Sequence, residues 1–390
     1  MIQDSVIPSV EIAHKLNLWY LSILNYEEDQ ARAMQTEIQS LLGRMEEDQN
    51  VLLYYSLLDF RFRINYDAKE NLQHYHQQLE DAAESSDTLS LPINYYYCLF
   101  SGDYEFRKGN LLRALSYYRH AINRVRELDD EIELAQCYYH LSEVYAKLSY
   151  SVISVIYAQT ALRIFDKYPE FVVFSVHCRN IFAFSLVNDH CHEHASRLFE
   201  EAYFLAKNHN NKRLFAIASF NRGIVQMHLK NFSVAETYFK ESLSTFIEER
   251  DKYIPRAYCS YYECLSEQKK VKLARIIYSK GIQAALKSND NEYLAKFTML
   301  HILYEEKLNT NKTETCISEL MRLNLHNEVM DFTLRIAEKC KKLNDKDSAI
   351  KYYELSNNVR IHIIEGEGIN ENDLQNSWDT DIDPIASCHW

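Results

Sequence analysis

A short motif recurs along this chain at a nearly fixed interval, and that interval restricts the fold more than any other feature. It is a small residue, a larger or small residue four positions on, and another small residue three positions further. The copies are Ala114/Tyr118/Ala121, Ser154/Ala158/Ala161, Ala195/Phe199/Ala202, Ala235/Phe239/Ser242 and Ala274/Tyr278/Gly281, with first members 40, 41, 40 and 39 residues apart. A last copy, Ala349/Tyr353/Ser356, follows 75 residues after the fifth, and a degenerate copy is expected between them near Thr313–Leu320. Positions i, i+4 and i+7 share one face of a helix. The small residues let a partner helix approach, and the large one fills the gap between them. A helix pair of this length cannot bury its apolar face alone, so successive pairs must stack.

Composition agrees with an all-α chain. Seven Gly and five Pro in 390 residues are few for a sheet-rich protein with many tight turns, while 29 Tyr and 18 Phe make an aromatic core. The A-x3-F-x2-A pattern with its long period resembles tetratricopeptide repeats with extended helices. That resemblance implies a superhelix with a concave inner groove.

The first 70 residues do not follow the period and read as a three-helix bundle. Ser9 is placed to cap the first helix, which carries Ile12, Leu16, Trp19, Tyr20 and Ile23. Residues 28–42 give a polar second helix. Val51, Tyr54, Tyr55, Leu58 and Phe62 have helical spacing in a third. The expected organisation is a bundle over 1–70, a polar and partly helical linker over 71–92, repeats over 93–365, and a disordered tail over 366–390, where Gly, Asn and Asp replace the helical period.

The net charge of −13 disfavours direct nucleic-acid binding. Nine scattered Cys with no CxxC pair suggest a reducing compartment rather than a disulfide framework. The N-terminus lacks a basic segment followed by an apolar one, and no apolar run is read as long enough to span a bilayer. The expectation is a cytoplasmic protein without a membrane partner. NDHCHEH at 188–194 is rich in metal-ligand residue types, but His192 is off the face shared by His190 and His194, and no second cluster accompanies it. No metal is expected there.

One stretch raises a question about chemistry. In RMEEDQNVLLYYSLLDFRFR, residues 44–63, an acidic run meets an apolar helix at Gln49. By spacing alone Asp48 is an N-cap, Glu46 and Glu47 favour the positive end of the helix dipole, and Gln49 is a solvated first-turn residue.

The same stretch resembles the N-terminal bundle of the Rap proteins, response-regulator aspartate phosphatases of spore-forming bacilli that are inhibited by small secreted Phr peptides. MEEDQ followed by LLYYSLL and FR carries the resemblance. IPSVEIAHKLNLWY, YYYCLFSGDYEF and DEIELA at 130–135 continue it, in order, over about residues 7–365.

The resemblance implies that Gln49 is catalytic. A phosphorylated response regulator of the sporulation-phosphorelay type carries an acyl phosphate and its own Mg²⁺, and it hydrolyses slowly by in-line attack of water. A neutral amide accepts from that water while donating to a phosphoryl oxygen, the role of the water-orienting glutamine of GTPases. A carboxylate would be repelled. The chain then needs no cofactor of its own, Mg²⁺ being supplied in the partner. The resemblance further implies regulator contacts at Glu47, Asp48, Phe60 and Asp130. Residue type alone makes Phe60 equally a core residue and Asp130 equally a helix cap.

For the groove, the resemblance implies a Phr-like oligopeptide anchored by Asn221 in FNRG at 220–223, and by position 188 of the preceding repeat. This sequence departs from the family there. Asn188 stands where relatives commonly carry Asp, and Lys296 stands where some carry an acid. Three alternatives remain. One is a non-catalytic family member that occupies a regulator's DNA-binding domain, since members of both kinds carry MEEDQ. Another is a peptide-controlled transcription factor, for which Arg61 and Arg63 make a meagre basic surface. The last is a scaffold.

Overall fold

The protein is described from a computed structural model. The structure describes residues 6–66, 72–85, 90–148, 150–188, 191–209, 211–304 and 308–366. Among them every regular element is helical, apart from one isolated bridge between Ile7 and Met45. The chain packs as two units, Met1–Gln268 and Lys269–Trp390.

The first unit begins with α1 (Ser9–Leu24), α2 (Glu28–Leu42) and α3 (Gln49–Tyr66). Ile12, Leu16, Trp19 and Ile23 of α1 are fully buried, as the spacing predicts. Ser9 is not the cap but the first helical residue. Its N–H and hydroxyl donate to Glu46 Oε1 at 2.9 and 2.8 Å, so a carboxylate from the α2–α3 connection occupies the positive end of α1. The expected linker contains a helix, α4 (Leu72–Ser85). Its Tyr75 ring lies 4.4 Å from the Arg63 guanidinium, and His76 stacks on Tyr104 of the next helix.

The repeat follows as α5 (Leu91–Lys108), α6 (Leu111–Leu128), α7 (Glu131–Lys147), α8 (Ser151–Phe165), α9 (Val172–Asn188), α10 (His192–Asn208), α11 (Lys212–His228), α12 (Phe232–Glu248) and α13 (Ile254–Glu267). The periodic motifs fall on α6, α8, α10 and α12, and all twelve motif residues are buried. Opposite them sit small residues of the preceding helix. A Cβ on Gly102 would lie 2.5 Å from the Tyr118 ring, and one on Gly223 would lie 2.6 Å from the Phe239 ring. Close approach, rather than turn formation, is what these two glycines provide. The turns instead draw on Asp129, Lys230 and Arg250 in the left-handed region, so a glycine-poor chain still turns sharply at a small local cost.

Pro169–Val187 corrects one expectation. It is 19 residues long with a mean hydropathy of 1.4, enough by length and composition to cross a membrane. Here half of it is buried between α8 and α10, because a central repeat helix is covered on more than one side.

The second unit holds α14 (Val271–Ser288), α15 (Asn291–Tyr304), α16 (Thr310–Arg322), α17 (His326–Lys342) and α18 (Lys346–Gly366). The degenerate copy lies in α16, where Thr313, Ile317 and Leu320 are buried. In α18 the buried aromatic is Tyr352, while Tyr353 turns outward and its hydroxyl donates to Glu338 at 2.5 Å. The tail expected over 366–390 lies outside the described residues except for Gly366, which ends α18.

Candidate functional site

The segment before α3 is pinned at both ends. Ile7 N donates to the Arg44 carbonyl, and Glu46 N donates to the Ile7 carbonyl, each at 2.9 Å. Glu46 is tied to Ser9, whose two hydrogen bonds hold its carboxyl below the usual range. Asp48 then caps α3, accepting from Asn50 N at 3.0 Å and Val51 N at 3.3 Å. Between these anchors Glu47 and Gln49 are exposed. A rigid connection therefore presents a neutral amide and one unengaged carboxylate to solvent.

The other residues expected to meet a regulator lie elsewhere. Phe60 is only 1 % exposed, its ring 5.6 Å from Tyr104 and 5.8 Å from His76. In this arrangement it is a core anchor and offers no contact surface, because α3 is docked against α4 and α5. Asp130 is exposed and caps α7, accepting from Ile132 N and Glu133 N, both at 3.0 Å. Asn188 ends α9, and its side chain lies outside the described residues, as do Asp189 and His190. Lys296 is held in the second unit between Glu292 at 2.6 Å and Glu328 at 2.8 Å.

The bundle docks on the first repeats through buried polar groups that residue spacing does not announce. Arg61 of α3 pairs with Asp103 of α5, which also accepts from the Tyr118 hydroxyl at 2.7 Å and lies 3.4 Å from His140 Nδ1. Glu133 of α7 accepts from Tyr95 at 2.8 Å, Tyr96 at 3.1 Å, Tyr20 at 3.3 Å and the Gln136 amide at 2.6 Å. Burial pushes its carboxyl up to about 7 despite these donors. Tyr26, in the left-handed region at φ 58°, sets its ring edge-on to His177 and 4.5 Å from the Arg213 guanidinium.

Beside Tyr26 opens a cavity of about 230 Å³, bordered by His177, Asn180, Phe220, Asn221 and Arg256 among others. Asn221 is 6 % exposed with no side-chain hydrogen bond among the described residues. Asn180 is 4 % exposed, and both its amide atoms are buried without a partner. Burial pushes His177 down to about 4, and its Nε2 is likewise unpaired. Asn180 was missed by sequence reasoning, yet a signal existed. It stands one repeat before Asn221, and His140 stands one repeat before Asn180.

His140, Asn180 and Asn221 therefore occupy one register on α7, α9 and α11. Helices packed about 8–10 Å apart put such a ladder at about three residues of extended chain per rung. Buried amides lacking partners cost stability unless something supplies them. An extended main chain carries a donor and an acceptor on each non-proline residue and can supply such partners.

A helical repeat with partnerless buried polar atoms on His140 and Asn180, and Asn221 in the same register, joined to a bundle that exposes a pinned glutamine, is the architecture of a groove-bearing repeat protein with a separate surface site. Comparisons with known proteins name its relatives. Residues 6–67 match the family model of response regulator aspartate phosphatase H, N terminal. Response regulator aspartate phosphatase I of Bacillus subtilis (strain 168) is 32% identical over 370 residues, covering 94% of this chain and 95% of that protein. Among solved structures, a Rap protein complexed with competence and sporulation factor has a TM-score of 0.81 at 31% identity, covering 92% of this chain and 99% of that one. The apo form of RapI, also 31% identical and covering 91% and 99%, has a TM-score of 0.65. The chain belongs to the Rap family of response regulator aspartate phosphatases.

Proposed function

We propose that this protein dephosphorylates the aspartyl phosphate of a response regulator and that an oligopeptide in the repeat groove inhibits it. The observation that carries the reading is the pinned, exposed Gln49. Its amide oxygen accepts from a water and its NH₂ donates to a phosphoryl oxygen, so the water is aligned for in-line attack. The new P–O bond forms as the bond to the aspartyl oxygen breaks, releasing inorganic phosphate and a free carboxylate. Mg²⁺ belongs to the regulator and neutralises charge on the phosphoryl group. Glu47 is free to grip the regulator, whereas Asp48 is engaged as a cap.

Peptide control rests on the Asn180–Asn221 ladder and on the docked bundle. A regulator contact by Phe60 requires α3 to leave α4 and α5. The greater likeness to a peptide-complexed Rap structure than to an apo one of equal identity supports assigning the docked arrangement to the inhibited state. The test is to incubate the chain with a phosphorylated sporulation-type regulator and follow phosphate loss and complex formation separately. Phosphate loss that stops on chelating Mg²⁺ supports the reading. Complex formation with unchanged phosphate lifetime would overturn it in favour of a sequestering protein.

A further inference from the structure

The groove carries a charge opposite to that of the protein. A second cavity of about 330 Å³ adjoins the one at Asn221, the two sharing Tyr26, Tyr139, Glu143 and Tyr253 as walls. Five cations, Arg61, Arg107, Lys147, Lys252 and Arg256, line the pair, against two carboxylates, Asp103 and Glu143. The whole chain has a net charge of −13, so this local excess runs against the average.

Both carboxylates are already engaged. Asp103 holds Arg61 and the Tyr118 hydroxyl. Glu143 lies 3.3 Å from His140 Nδ1. Arg107, Lys147, Lys252 and Arg256 have no carboxylate within 4 Å among the described residues. Three of them lie over aromatic rings instead: Lys147 is 5.0 Å from Phe106, Lys252 is 5.8 Å from Tyr253, and Arg256 is 4.9 Å from Phe220. Although solvent reaches Lys252, the protein around it strips part of its hydration. Arg213 and Arg107 repel it as well, and its ammonium is pushed down to about 8. Lys252 also borders a neighbouring cleft, where the acids Glu27, Glu28, Asp29, Glu249 and Asp251 face Lys212, Arg213 and Arg250, so of Arg107, Lys252 and Arg256 only the two arginines are confined to the two cavities.

Cations that outnumber the carboxylates in a concave site, five against two here, favour an anion that enters it. We infer that the occupant is an oligopeptide held by a carboxylate, its main chain along Asn180 and Asn221 and that carboxylate seated among Arg107, Lys252 and Arg256. This rests on the peptide-binding reading above and specifies the anionic group by which that peptide is held. The carboxylate comes from an acidic side chain or from the peptide's C-terminus.

The test uses pools of synthetic pentapeptides on the immobilised full chain. In each pool one position is fixed as Glu, Gln or Arg and the rest are randomised, and every pool is made with a free or an amidated C-terminus. Glu-fixed pools should be retained about tenfold more than Gln-fixed ones at one position if a side chain supplies the carboxylate. Loss on amidation alone marks the C-terminus as the source. Either preference should shrink at least about fivefold in Arg107→Gln/Lys252→Gln/Arg256→Gln, and also in Lys252→Gln alone to a lesser degree. Retention independent of charge and of amidation, stronger retention of Arg-fixed pools, or a preference unchanged in the folded triple variant would overturn the inference and leave peptide binding standing. Retention of no pool by the wild-type chain would overturn the peptide reading and this inference together.

Discussion

The side-chain amide of Asn211 donates to the main-chain carbonyl of Asn25 at 2.7 Å, joining positions 186 residues apart. Its oxygen meanwhile caps α11, accepting from Leu214 N at 2.9 Å. One residue therefore starts a repeat helix and fastens the end of α1 to it. Asn211→Asp preserves the cap oxygen but sets a carboxylate against the Asn25 carbonyl, so only the fastening is lost. Hydrogen exchange should accelerate in α1–α3 with little change in α12. Asn211→Ala loses both roles and should cost about 1–2 kcal/mol in urea unfolding.

The Arg61–Asp103 pair joins bundle to repeat in a buried setting. Arg61→Met leaves Asp103 uncompensated and should destabilise the first unit by about 3–5 kcal/mol. Adding Asp103→Asn removes the stranded charge while keeping a partner for Tyr118, and should recover much of that loss. A double variant no more stable than Arg61→Met would show that packing of the guanidinium, not its charge, matters.

Glu133 predicts a pH dependence. Its carboxyl moves from 4.5 to about 7 on burial, so across that window the folded chain keeps a proton that the unfolded chain releases. The contribution is fully present below the lower value and is lost as pH rises through the upper one, on the order of 3 kcal/mol in all. Glu133→Gln should flatten the stability profile over this range when urea midpoints are taken at stepped pH. Parallel profiles for the two proteins would remove Glu133 as the source.

Gln49→Ala should slow stimulated dephosphorylation by about a hundredfold or more, because an unaligned water forfeits its near-attack geometry. Regulator affinity should change little, since one exposed amide adds little contact area. Gln49→Glu should be equally slow because its charge opposes the phosphoryl oxygens. Single-turnover assays separate chemistry from binding, and a wild-type rate in either variant would move the catalytic role elsewhere.

Asn180→Ala and Asn221→Ala should each weaken inhibition by the cognate peptide by about 1–3 kcal/mol, as a desolvated peptide group loses its partner. Titrating inhibition of dephosphorylation against peptide concentration measures this. A loss in Asn221→Ala alone would mean that the ligand spans a single rung.

Some of this was written in local patterns. The spacing of Ala114, Tyr118 and Ala121 and its later copies dictates paired helices, since i, i+4 and i+7 share a face whatever surrounds them. Asp48 and Asp130 announce helix starts because capping involves the next two or three residues only. Gln49 was reached through resemblance, not spacing. The membrane-compatible segment 169–187 was underestimated, because hydropathy alone does not distinguish a lipid-facing helix from a central repeat helix.

What the sequence by itself determined is the helical repeat, its period and the small-against-large packing of one helix on the next, all set by contacts a few to about sixteen residues apart. The tertiary structure alone decided which polar faces turn inward and where the bundle rests. Phe60 could have been a surface or a core ring, and only docking on α4 and α5 buries it. Asn180 and Asn221 form a ladder only once successive helices stack in register. Arg61 meets Asp103 from 42 residues away, and Asn211 meets Asn25 from 186. Such pairings depend on how whole elements close on one another, where desolvation rewards satisfied buried charge and penalises every alternative, and no local period records that choice.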